Sequence, residues 1–181
     1  NEGFYEVFAF IPSCGPTPTE QARYQIAHSG ATTEVTVNQA AAIGGWASLG
    51  IYHMGGDSRV ILTDVTGDDG RVVRFDAIKW VARADTAPPE ARVAAAEPQA
   101  DGAILVRWEG RDDVSGIASF DIQVRRLPDG GWTNWQMGVA HRETLFVPPE
   151  PGSYAFRARA RDWVGSEQPW RDTDDLQIEV K

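Results

Sequence analysis

Residues 4–11 read FYEVFAFI, and strand parity divides them into two apolar rows. Tyr5, Val7, Ala9 and Ile11 fall on one face; Phe4, Phe8 and Phe10 fall on the other. A strand apolar on both faces is either central and covered twice, or it carries an open aromatic platform. The covered arrangement is the expected one, because large exposed patches are uncommon on monomers. The alternative makes Phe8 and Phe10 ligand-binding candidates, since sugar C–H faces stack on aromatic rings.

The same period of two recurs along the chain, and helical periodicity is nearly absent. Strands are expected over 4–11, 22–28, 32–39, 47–54, 58–65 and 71–81, then over 91–96, 103–109, 118–126, 132–137, 143–148, 153–162 and 175–180. QAAAIGG resembles a helix start, but Gly44 and Gly45 cut it short. Both halves are mildly acidic, so the boundary rests on DTAPPEA at 85–91, whose adjacent prolines stiffen the chain and cannot donate to a ladder. The expected architecture is all-β: two tandem antiparallel β sandwiches, residues 1–84 and 85–181.

Composition narrows the function. A net charge of −9 argues against a nucleic-acid partner, which wants clustered Lys and Arg. A single cysteine, Cys14, excludes an intrachain disulfide. No apolar run approaches the length of a membrane helix, so no membrane insertion is expected. With no initiator Met and no signal-like segment, the chain reads as a mature or excised piece of something longer.

GxSxG, HExxH, CxxC and GxxxxGK[ST] are all absent from the sequence. Cys14 with His28 or His53 lacks diagnostic spacing, and PSCGPTP reads as a loop. Carboxylates mostly sit in turns. Asp68-Asp69-Gly70 and Asp129-Gly130-Gly131 are both hairpin signals. The clusters Asp64…Asp68-Asp69 and Asp112-Asp113 miss the EF-hand spacing, and solvated loops are their default. A calcium site near Asp85, Asp112 or Asp162 is the alternative, although no metal ligand or cofactor is assigned. No enzyme is expected.

The stretch GGWASLGIYHMGG (44–56) holds a tryptophan between glycine pairs. Parity puts Tyr52 and Met54 together, away from Ile51 and His53, within what reads as a framework hairpin. Trp46 is a structural plug or a sugar platform. Gln39 is suited to cross-linking its loop by amide hydrogen bonds, and Asp76 to capping nearby N–H groups. In WTNW, Trp132 and Trp135 stand three apart and so on opposite faces. At least one is expected at an edge or towards the first domain, with Trp163 and Trp170 contributing to an aromatic junction.

Several of these elements together resemble the golvesin C-terminal-like family, which includes the carbohydrate-binding-type domain attached to xanthan lyase. They are Tyr5-Glu6-Val7, His28-Ser29-Gly30, the Val-x-Val-x-Gln ending at Gln39, Trp46 with Leu49-Gly50, and Asp76-Ala77. The resemblance covers most of residues 3–81. In it an edge strand usually precedes Tyr-x-Val, and this chain barely includes one. Residues 86–180 resemble a fibronectin type III or bacterial immunoglobulin-like domain, with Trp108 as the buried tryptophan of the second strand. Tyr154 would be the corner tyrosine, and Arg157, Arg159 and Arg161 alternate outward.

The resemblances imply a non-catalytic extracellular pair, secreted or at a bacterial cell surface. The first domain would bind polysaccharide or a cell-surface glycan, and the second would act as spacer; across the pair the candidate ligand-binding residues are Phe8, Phe10, Gln39, Trp46, Trp132 and Trp135. The alternatives are a structural or adhesive building block joined to neighbouring domains or copies through sheet edges, with an unpaired edge beside residues 3–11, and an accessory fragment of a secreted hydrolase, lyase or peptidase.

Overall fold

A computed structural model describes residues 2–180 as thirteen strands and no helix. No helix in it is long and apolar enough to cross a membrane. The chain divides into two compact units, Asn1–Ala84 and Asp85–Lys181, at the boundary the prolines mark.

The first unit holds β1 (Gly3–Phe10), β2 (Ala22–His28), β3 (Ala31–Val37), β4 (Trp46–Met54), β5 (Arg59–Thr63) and β6 (Ile78–Ala82). They form two three-stranded sheets, ordered β4-β1-β6 and β3-β2-β5. The inward rows meet between them: Val7 and Ala9 of β1, with Ile11 just beyond, and Leu49 and Met54 of β4, pack on Ala22, Tyr24, Ile26 and Val37. Each such buried side chain contributes roughly 1.5–3 kcal/mol by leaving water.

Strand β1 is the centre of its sheet, paired antiparallel with β4 on one side and β6 on the other. The edge expected beside residues 3–11 is therefore occupied within the unit. The Phe row is not part of the buried cluster, and Phe4, Phe8 and Phe10 are half-exposed. Coverage on both faces is thus corrected to one covered face and one open face.

Two turn readings also change. The tight hairpin lies at Ser29-Gly30, between β2 and β3, where φ is positive at both residues (36° and 79°) as a type I′ turn requires. The glycine pair after Met54 does not close a hairpin. It opens a Gly55–Ser58 turn that carries the chain from the β4 sheet to β5 in the other sheet. Asp68-Asp69-Gly70 sits in a long loop, where Asp68 Oδ2 accepts from Thr19 Oγ1 (2.7 Å) and Glu20 N (2.8 Å). The expected strand 71–81 shortens to β6 for that reason, leaving only a single bridge between Val72 and Pro18.

The second unit holds β7 (Glu90–Pro98), β8 (Ile104–Arg111), β9 (Ile117–Arg126), β10 (Thr133–Val139), β11 (Glu143–Phe146), β12 (Gly152–Asp162) and β13 (Leu176–Val180). Its sheets run β11-β8-β7 and β10-β9-β12-β13, a three-on-four antiparallel sandwich. Trp108 is buried at the centre and donates from Nε1 to His141 O at 2.8 Å. Tyr154, near the start of β12, donates from its hydroxyl to Glu150 O at 2.7 Å, the geometry of a tyrosine corner. Asp129-Gly130-Gly131 lies in the β9–β10 hairpin connection.

Candidate functional site

The open face of the β4-β1-β6 sheet is assembled by pairing register. Phe10 stands opposite Trp46, Phe8 opposite Ser48 and Lys79, Glu6 opposite Ile51 and Val81, and Phe4 opposite His53. A bulge between Val7 and Phe8 keeps both ends of the row pointing outward. It faces Gly50, whose φ of +116° and lack of Cβ let the Tyr52 hydroxyl pass over it to donate to Leu49 O at 2.5 Å. A Cβ there would lie 2.7 Å from that hydroxyl, so the Leu49-Gly50 pair in the sequence has a steric cause.

On this face the Phe10 and Trp46 ring centres are 5.3 Å apart, and Trp46 is 42% exposed. The Lys79 ammonium stands 4.3 Å from the Trp46 ring centre and 4.6 Å from that of Phe8. Beside them, Glu6 accepts from Ser48 Oγ at 2.8 Å and from Arg83, whose Nε lies at 3.0 Å. The Arg83 hydrogen bond, then that of Ser48, holds the Glu6 carboxyl below its ordinary range, so it is anionic at neutral pH. The face therefore offers flat apolar rings flanked by one anion and two cations. That mixture suits a polyhydroxylated ligand with apolar C–H faces and hydroxyl edges.

The strip leads into a cleft of about 360 Å³ in the same unit. Phe10, Tyr24, Leu62, Phe75 and Ile78 are among its lining residues, with Asp64 and Asp76 as its carboxylates. Phe75 is 77% exposed, an unusual setting for a phenylalanine and one that sequence reading passed over. Asp76 is exposed and makes no backbone cap among the described residues.

Other candidates lie elsewhere. Gln39 is 0% exposed. Its Nε2 donates to Tyr24 Oη (3.0 Å) and Arg74 O (2.7 Å), and its Oε1 accepts from Arg74 N (2.9 Å). It is the cross-link its amide chemistry suggested, and its place as a ligand-binding residue is corrected: a surface ligand does not reach it. The Arg74 guanidinium in turn ties down Pro12 O, Gly15 O and Pro16 O, bracketing exposed Cys14 in its loop.

Trp132 and Trp135 belong to the second unit and are used within it. Trp135 packs among Trp108, Phe146 and Phe156, with ring centres 5.4–6.2 Å away. Trp132 lies over the guanidinium groups of Arg157 (4.2 Å) and Arg125 (4.8 Å). Trp170 continues the stack over Arg157 (4.9 Å) and Arg159 (4.8 Å). The outward arginines are thus interleaved with rings, and Arg157 is buried, where sequence alone left them in solvent. The alternation RARAR was the available signal, since three planar cations on one strand face need partners.

A serine–histidine pair also escaped the sequence reading. Ser29 Oγ lies 2.7 Å from His53 Nδ1 and 2.6 Å from His53 O. These two contacts close the β2–β3 hairpin onto β4. His28 Nε2 meets Thr33 Oγ1 at 2.9 Å, and its ring packs on Tyr52 at 4.6 Å.

The Golvesin C-terminal domain family matches residues 1–82, the first unit almost end to end. Protein sidekick-2 of Gallus gallus is 28% identical over 93 residues, and that of Mus musculus 29% over 93, each covering 49% of this chain. Protein sidekick-1 of Gallus gallus is 25% identical over 109 residues, or 58% of the chain. This chain spans only 4–5% of the length of these curated relatives.

Proposed function

We propose that the first unit is a non-catalytic extracellular module that holds polysaccharide or cell-surface glycan on its open sheet face, with the second unit as spacer in a larger secreted or surface protein. The observation that carries this reading is the placement of Phe8, Phe10 and Trp46 on one solvent-facing row. A golvesin-type match over residues 1–82 supports it. Sugar rings stack on Trp46 and Phe10, hydroxyls bond to Glu6, Ser48 and Arg83, and repeated weak contacts along a polymer raise the avidity. Affinity electrophoresis of the chain through gels containing soluble polysaccharides tests it: retardation by at least one polymer, lost in Trp46→Ala, is the expected result.

A second reading is favoured by the sidekick matches, in which a stretch of this size is about one twentieth to one twenty-fifth of the whole. On that reading the pair is a structural or adhesive building block among many. It predicts concentration-dependent self-association without glycan, measured by sedimentation.

A further inference from the structure

Three segments of the second unit bring one aspartate each to the same place: Asp85 ahead of β7, Asp112 after β8, and Asp162 as the last residue of β12. One carboxylate oxygen from each lies within 4.8 Å of the others. Two oxygens on opposite sides of a calcium ion, at about 2.4 Å each, stand about 4.8 Å apart, so one ion is able to touch all three.

Backbone N–H groups grip each carboxylate by a single oxygen. Ser115 N donates to Asp85 Oδ2 at 3.1 Å. Val114 N and Gly116 N donate to Asp112 Oδ2 at 3.0 and 2.8 Å. Val164 N and Ser166 N donate to Asp162 Oδ1 at 3.0 and 2.8 Å. The second oxygen of each is left over. Outer hydrogen bonds that fix ligand orientation in this way are the usual surroundings of a metal ion.

An independent observation comes from Asp162 itself. It is 1% exposed, and its Oδ2 has no hydrogen-bond partner. Ser115 Oγ, on the residue that grips Asp85, is also buried without a partner. Among the described residues no Arg, Lys or His pairs with any of the three aspartates. Three clustered carboxylates with a bare buried oxygen and no countercharge is a costly arrangement, and a divalent cation relieves it.

We infer that the second unit binds one Ca²⁺ through Asp85, Asp112 and Asp162. The donors are hard oxygens only, which disfavours zinc and copper. Carboxylates delivered by three separate segments suit the irregular, high coordination of calcium better than the strict octahedron of magnesium. The ion ties the segment entering the unit to the β8–β9 and β12–β13 loops. This inference stands apart from glycan binding by the first unit.

The test is calorimetric titration of the metal-free full chain with CaCl₂, alongside thermal melts in EGTA and in calcium. The expected result is one site per chain with a dissociation constant on the order of 10⁻⁵–10⁻³ M. At tenfold saturation one thermal transition rises by roughly 5–10 °C. Tb³⁺ replaces the ion and glows on tryptophan excitation, because Trp163 adjoins Asp162 in the chain, and excess Ca²⁺ quenches that signal. Asp162→Asn keeps the Oδ1 acceptor and is expected to weaken calcium by tenfold or more; Asp85→Asn does the same from a less buried position. No heat and no melting shift in wild type at 10-fold the upper end of that range overturns the inference. Binding unchanged in both variants overturns it too, and so does Mg²⁺ binding as tightly as Ca²⁺.

Discussion

The Lys79 ammonium sits 4.3 Å from the centre of the Trp46 ring, bridging the β6 edge of the sheet to the far end of β4 across Phe8. A lysine in that position holds the indole in place while leaving it 42% exposed. Lys79→Ala is expected to cost about 0.5–1 kcal/mol, the worth of an exposed cation–π contact, and to change Trp46 fluorescence. Urea unfolding and emission spectra measure both. An unaltered spectrum would mean that the lysine does not rest on the ring.

Gln39 is the most consequential single side chain of the first unit. Gln39→Ala strands the Tyr24 hydroxyl and both backbone polar groups of Arg74 in the interior. With three buried groups left bare, a loss of about 3 kcal/mol or more is expected. The denaturation midpoint of the first unit falls, and that of the second stays put. A loss under about 1 kcal/mol would show that water replaces the amide.

In the second unit, Tyr154→Phe removes only the hydroxyl that bonds Glu150 O. The expected cost is about 1 kcal/mol, the net value of one hydrogen bond. Trp132→Ala takes away the ring stacked on Arg157 and Arg125, with an expected cost of about 1–3 kcal/mol. Glycan retention by the first unit is expected to survive both changes. A loss of retention in Trp132→Ala would move the binding surface to the second unit.

Acid and alkali act on different groups of the first unit. The Thr19 hydroxyl, then Glu20 N, holds the Asp68 carboxyl below its ordinary value. A depressed folded value means the contribution is complete above the unfolded value and disappears as pH falls through the folded one. Stability of the first unit therefore declines as pH falls below the ordinary carboxylate range, and Asp68→Asn flattens that slope. Burial raises the Tyr24 phenol, against a smaller opposing effect of Gln39. Its contribution is complete below the free tyrosine value and is lost above about pH 10 as pH passes the folded value. Stability curves at fixed urea and varied pH check both limbs.

Most strand positions and the corner role of Tyr154 were legible in the sequence because each is a local pattern: alternation, or a tyrosine at a strand start; the strand expected over 71–81 kept only its last part in β6. Strand partners were not. Gly55-Gly56 looks like a hairpin whether or not β4 and β5 pair, and only the assignment of strands to sheets distinguishes the two. Whether the Phe row of β1 is covered depends on a second layer that no local pattern encodes. Gln39 was legible in its chemistry but not in its depth, since burial comes from Tyr24 and Arg74, far away in the chain. The Trp132–Arg157–Trp170 stack joins three segments, and only the RARAR alternation announced it.

The central claim is that the open face of the first unit grips polysaccharide through Trp46 and Phe10. The most direct measurement is titration calorimetry of the full chain, Trp46→Ala and Phe10→Ala against soluble polysaccharides that retard the wild type in gels. The account predicts weak binding that falls at least about tenfold, ~1.4 kcal/mol, in each variant while the fold is retained. Wild-type binding to no polysaccharide, or equal binding by all three proteins, would contradict it.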